Sequence, residues 1–92
     1  MPRLHTDRLY EGELRKIREM LLMMGAKVEE MLTYAMRALI ERDTELADRT
    51  LLIDRQINRL EMEVDDLCLR VLARRQPVAS DLRFVTMALK VV

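Results

Sequence analysis

The fold is decided by residues 74–83, RRQPVASDLR, which separate two long helical patterns. Pro77 has no amide hydrogen and disfavours helical geometry at the residue before it, so the preceding helix must stop near Arg75. Ser80 and Asp81 then offer side-chain oxygens and a negative charge, which suit the first turn of a new helix because its free amides need acceptors. The stretch therefore predicts a sharp corner between two helices.

Both patterns that flank this corner are typical of long amphipathic helices. Their apolar residues alternate steps of three and four, which places them on one helix face. The first series is Leu14, Ile17, Leu21, Met24, Val28, Met31, Ala35 and Ala38, and the second is Leu46, Thr50, Ile53, Ile57, Leu60, Val64, Leu67 and Val71. Asp43 lies between the two series and is a good helix cap. The sequence predicts helices over about 9–41 and about 44–75, packed antiparallel.

A third helix is predicted from about residue 80 to residue 92. Leu82, Val85, Leu89 and Val92 continue the same rhythm, but no glycine stop follows. We therefore expect a truncated third helix. The predicted fold class is all-α, an incomplete up-down three-helix bundle repeat that covers residues 1–92.

Composition excludes several classes of protein. The 16 basic and 16 acidic residues balance, so no global field favours nucleic acid. The longest apolar run, residues 20–24, is far shorter than the roughly 20 residues that span a membrane, so no membrane insertion is expected. Cys68 is the only cysteine and no signal peptide precedes the helices, which together favour a reducing cytoplasm.

An acidic stripe follows one face of the second predicted helix. Asp54, Asn58, Glu61 and Asp65 step by four, three and four, so they fall within an arc of about 60°. A hard metal ion would relieve the repulsion between the three carboxylates. Two other interpretations stay open, since arginines such as Arg15 or Arg18 could neutralise the stripe, or it could simply face water. Spacing alone does not favour the metal.

The sequence offers no recognisable catalytic machinery. Its only histidine, His5, lies in the leader, and no histidine near Cys68 could activate that thiol. We therefore predict a protein that is not an enzyme, with Cys68 as a buried structural residue. Gly25 interrupts the first helix, and we predict that it allows a close approach of two helices.

The chain resembles the amino-terminal portion of the PhoU family, whose members assist and regulate bacterial phosphate uptake. The matching residues are Glu13-Leu14 with Ile17, Met24-Gly25, Val28-Glu29, Asp54, Ile57-Asn58, Glu61, Asp65, Cys68 and the corner segment 75–83. The resemblance implies a PhoU-like repeat of three helices in a cytoplasmic protein. The family's usual chain is more than twice as long, and its acidic motif on the third helix is missing here.

The resemblance also implies a function and partners. Such a protein would repress the phosphate-starvation response by contacting the ATPase of the phosphate ABC transporter and a sensor histidine kinase. It would bind a divalent or iron-type metal through the pair Glu61 and Asp65, with Asp54 and Asn58 beside them, although weakly in so short a chain.

Two further expectations concern surfaces. Asp81 and Arg83, with Arg75, form a candidate polar handle for a protein partner. Exposed apolar flanks favour a homodimer or a helix-swapped oligomer. The alternative function is a structural helical dimerisation module without any ligand.

Overall fold

The structure, a computed structural model, is an antiparallel helical hairpin with a short third helix packed on it. It describes the backbone of residues 2–75 and 79–91, and the side chains of residues 8–74 and 79–91. Helix α1 spans Pro2–Glu41, α2 spans Thr44–Arg75 and α3 spans Ala79–Val91. The described residues contain no strand, so the all-α, three-helix prediction is confirmed. The molecule measures 59 × 21 × 15 Å, about the length of α1 alone.

The turn between α1 and α2 is closed by its own backbone and one side chain. Arg42 adopts a left-handed φ of 52°, and the amide of Asp43 donates to the carbonyl of Ala38 at 3.1 Å. This pattern ends a helix in a Schellman turn. The Asp43 carboxylate then accepts hydrogen bonds from the amides of Glu45 and Leu46, at 2.9 and 3.3 Å. Asp43 is thus the helix cap that the sequence predicts.

Helix α1 starts earlier than its apolar pattern indicates. It begins at Pro2 and not near residue 9. Proline is tolerated in the first turn because the amide it lacks would have no partner there, and its fixed φ already suits a helix. Helix α2 ends at Arg75, as the corner segment predicts, and α3 begins at Ala79, close to the predicted start near residue 80. Gln76, Pro77 and Val78 lie outside the described residues.

The buried core follows the predicted seams with a few differences. It contains Ile17, Met20, Met24, Ile53, Ile57, Val64, Cys68, Val71, Val85 and Ala88. Cys68 is buried, as predicted. Val28 is exposed, although it belongs to the predicted seam of α1. In α3 the small Ala88 is buried while Leu82 is 43% exposed, because α3 turns the face carrying Val85 and Ala88 toward the hairpin.

Gly25 corrects another expectation. A Cβ atom built at this position would meet no atom within 4 Å, and the residue is exposed. The predicted close approach of two helices at Gly25 is therefore wrong. Glycine is unfavourable within a helix, which is why Gly25 attracted a packing explanation, but its neighbours in the structure do not require a glycine.

Coverage by α3 divides the molecule into two halves. With 13 residues, α3 is about 20 Å long and lies along only the last part of α2 and the facing part of α1. We call this three-helix region the corner half. The remaining region has only two helices and extends to the turn at residues 42 and 43, so we call it the turn half.

Candidate functional site

The corner half is held together by a hydrogen bond between its first and last helices. The hydroxyl of Tyr10 in α1 donates to Oδ2 of Asp81 in α3 at 2.8 Å, in a partly buried position. Asp81 stands in the first turn of α3, where a carboxylate also suits the helix dipole. Desolvation, followed by this hydrogen bond and the Asp81 charge, raises the pKa of Tyr10 to about 12. The tyrosine is therefore a neutral donor at physiological pH.

A second contact joins the same two helices. The guanidinium of Arg18 lies over the ring of Phe84, with Cζ 5.0 Å from the ring centroid. This is the geometry of a cation–π interaction. Together, the Tyr10–Asp81 hydrogen bond and the Arg18–Phe84 contact form what we call the α1–α3 clasp. Neither contact follows from local sequence patterns.

The structure separates the members of the predicted polar handle. Asp81 is half-buried against Tyr10, while Arg83 is exposed. Two positions apart on a helix, their side chains project about 160° from each other. The side chain of Arg75 lies outside the described residues. Of the two handle residues whose side chains are described, Arg83 is therefore the exposed charged group.

The predicted acidic stripe lies on α2 next to the tip of α3. Counting back by sevens from the fully buried Cys68 leads to Glu61, Asp54 and Ala47, and such residues share one helix face. Glu61 is half-buried, whereas Asp54, Asn58 and Asp65 are exposed. Because α3 spans only about 20 Å of α2, Asp54 and Asn58 fall beyond its end. The stripe thus extends from the corner half into the turn half.

Three of the four stripe residues are exposed, and no cation of the described residues pairs with the stripe. None of its carboxylates forms an ion pair within the described part of the chain, where the pairs lie between neighbouring turns of one helix. Arg18 is held over Phe84, and Arg15 makes no pair with the stripe. Among the described residues, no group of three or more His, Cys, Asp or Glu side chains is arranged to hold a metal ion. The interpretation as a stripe open to water thus has the most direct support.

Cys68 borders the stripe from inside the core. Burial raises the pKa of its thiol, and the negative charge of Asp65, three residues earlier, raises it further. A thiol that is both buried and held neutral is a poor nucleophile. This agrees with a structural role for Cys68.

The sequence predicts exposed apolar flanks on the long helices, and the structure shows where one of them lies in the turn half. Exposed or half-exposed residues continue the α3-facing side of the hairpin past the tip of α3. They are Val28, Leu32, Ala35, Leu39, Ala47 and Leu51, and we call this surface the open face. Leu32 and Leu39 follow Arg18 at heptad spacing, so they share the side that Arg18 turns to α3. Close to the turn, Ala35, Leu39, Ala47 and Leu51 line an apolar groove of about 300 Å³.

The outward side of α3 was predicted only in part, through Arg83. It carries two apolar side chains, a hydroxyl and two cations, and we call it the outer face: Leu82, Arg83, Thr86, Met87 and Lys90. Leu82 and Met87 are each about half exposed, at 43% and 51%. A lone helix on a hairpin would normally present polar residues to water. Leu82 and Met87, five residues apart, project about 140° from each other and therefore flank the polar residues of this face.

The antiparallel hairpin and the corner that carries α3 define a helical-bundle module. The PhoU domain matches residues 21–92, so the chain belongs to the PhoU family. None of the helices, over their described residues, is long and apolar enough to cross a membrane.

Curated relatives agree with this family. The chain is 46% identical over 81 residues to a phosphate-specific transport system accessory protein PhoU homolog of Pseudomonas putida, covering 88% of this chain and 32% of that protein. It is 41% identical over 88 residues to the PhoU accessory protein of Serratia marcescens, and 38% identical over 88 residues to that of Escherichia coli K12. Both alignments cover 96% of this chain and 36% of the relative. The chain thus spans about a third of the length of these relatives. No solved structure gave a significant match.

Proposed function

We propose that this chain serves as an accessory module of phosphate uptake and phosphate homeostasis in the cytoplasm, without catalytic activity of its own. The observation that carries the proposal is the family match over residues 21–92, together with relatives that are named accessory proteins of phosphate-specific transport. The corner supports a role in contacts, since α3 is fixed to α1 by side chains and its outward side is left free. By family resemblance, the module represses the phosphate-starvation response.

The proposed partners are the ATPase of the phosphate ABC transporter and a sensor histidine kinase. On this proposal Arg83 contacts the partner directly and Arg75 is a second contact, while Asp81 acts through Tyr10 by holding α3 in place. Arg83→Ala should therefore weaken partner binding without changing the melting temperature. Asp81→Ala should weaken partner binding and also lower the melting temperature.

The test is a titration of the purified chain against each partner, followed by calorimetry. Arg59→Ala is the matched control, because Arg59 is an exposed arginine on another side of α2. Loss of binding in the Arg83 variant but not in the Arg59 control supports the proposed surface. Equal binding by the parent chain and the Arg83 variant contradicts the role of Arg83, and no binding by the parent contradicts the partners.

A metal role for the acidic stripe remains part of this proposal. Glu61 and Asp65, one turn apart, would supply the first carboxylates, with Asp54 and Asn58 next to them. Any such site would be weak and mononuclear, because carboxylates on one exposed helix face leave most of the coordination to water. Manganese, magnesium, iron or zinc should then raise the melting temperature of the parent but not of a Glu61→Ala, Asp65→Ala variant. If metal changes the melting temperature of neither protein, the stripe does not bind metal.

The second candidate function is a structural dimerisation module without ligand. The exposed apolar residues of the open face favour it, because contiguous apolar surface on a small domain usually marks an interaction site. A homodimer or a helix-swapped oligomer is compatible with both candidates. They differ in the role of Arg83, because the accessory function requires Arg83 for partner binding and the dimerisation module has no such partner.

A further inference from the structure

We draw no further inference here: the strongest candidate, the outer face of α3, is a surface patch whose Arg83 already belongs to the proposed partner contact, and nothing in the structure shows what covers its apolar residues.

Discussion

The corner half and the turn half are built from the same two helices, yet they differ in how well they are sealed. Within the described ranges, the core residues with 0% exposure all lie in the corner half: Ile17, Val64, Cys68, Val71, Val85 and Ala88. The best buried residues of the turn half, among them Ile53, Ile57 and Leu46, keep 6–7% exposure. Two antiparallel helices bury one seam, but a third layer is needed to close its sides. The short α3 therefore decides where the stable part of the molecule lies.

The same contrast appears in the polar contacts. The corner half has the α1–α3 clasp, which joins residues as far apart as Tyr10 and Asp81. In the turn half the polar contacts are local, such as the cap at Asp43 and the ion pair of Arg37 with Glu41 at 3.7 Å. Exposed pairs of this kind contribute only a few tenths of a kcal/mol. Long-range polar contacts thus reinforce the half that is already better packed.

The largest expected effect comes from replacing isoleucine by alanine at one buried position in each half. Ile17→Ala should lower the free energy of unfolding by about 4 kcal/mol, because its neighbours from three helices cannot close the cavity. Ile57→Ala should lower the free energy of unfolding by about 2 kcal/mol, because the Ile57 side chain is 6% exposed and water can already reach it. Urea titrations of both variants give the comparison. Equal losses would show that α3 does not seal the core differently.

The next effect concerns the clasp. Tyr10→Phe removes the donor to a charged acceptor and should lower the free energy of unfolding by about 1.5 kcal/mol. Tyr34→Phe is the matched control, because the Tyr34 hydroxyl makes no hydrogen bond in the described part of the chain. Thermal or urea unfolding measures both. If the two variants lose the same stability, the hydrogen bond to Asp81 adds nothing to the corner half.

The clasp should also respond to alkaline pH. The pKa of Tyr10 is about 12 in the folded chain against 10.0 in the unfolded one, so the folded chain holds this proton more tightly. Its contribution to stability is complete below pH 10.0 and is lost as the pH rises toward about 12. Tyrosinate absorbance in a Tyr34→Phe background reports Tyr10 alone. A transition near pH 10.0 would mean that the clasp is open in solution.

The smallest effect is a gain at the border between the halves. Gly25→Ala should stabilise the chain by up to about 1 kcal/mol, because alanine favours a helix and its Cβ meets no neighbour. Gly12→Ala, also in open space, should give a similar gain and serves as the comparison. A loss of stability at Gly25 only would indicate a close approach there that the structure does not contain.

Local physics explains which features could be predicted from the sequence. The seams, the cap at Asp43 and the corner at Pro77 depend on periodicity and on proline chemistry, so residues within a few turns determine them. The burial of Ala88 in place of Leu82 depends on how α3 rotates against the hairpin. That rotation is a tertiary choice that the short apolar pattern of α3 did not specify.

The candidate site divides in the same way. The common face of Asp54, Asn58, Glu61 and Asp65 follows from spacing, and the structure keeps it on one helix. Whether those carboxylates face water, a metal or a cation depends on what lies opposite them, which spacing does not contain. Pairs such as Tyr10 with Asp81, 71 residues apart, likewise need the tertiary fold.

The most direct test of the difference between the halves is native-state amide hydrogen exchange at a concentration where the chain is monomeric. We predict the slowest exchange in residues 14–21, 60–72 and 84–89, and clearly faster exchange in residues 28–40 and 46–54, because local opening is easier where a layer is missing. Uniform protection of both groups in the monomer would contradict the account, since it would mean that α3 is not what seals the core.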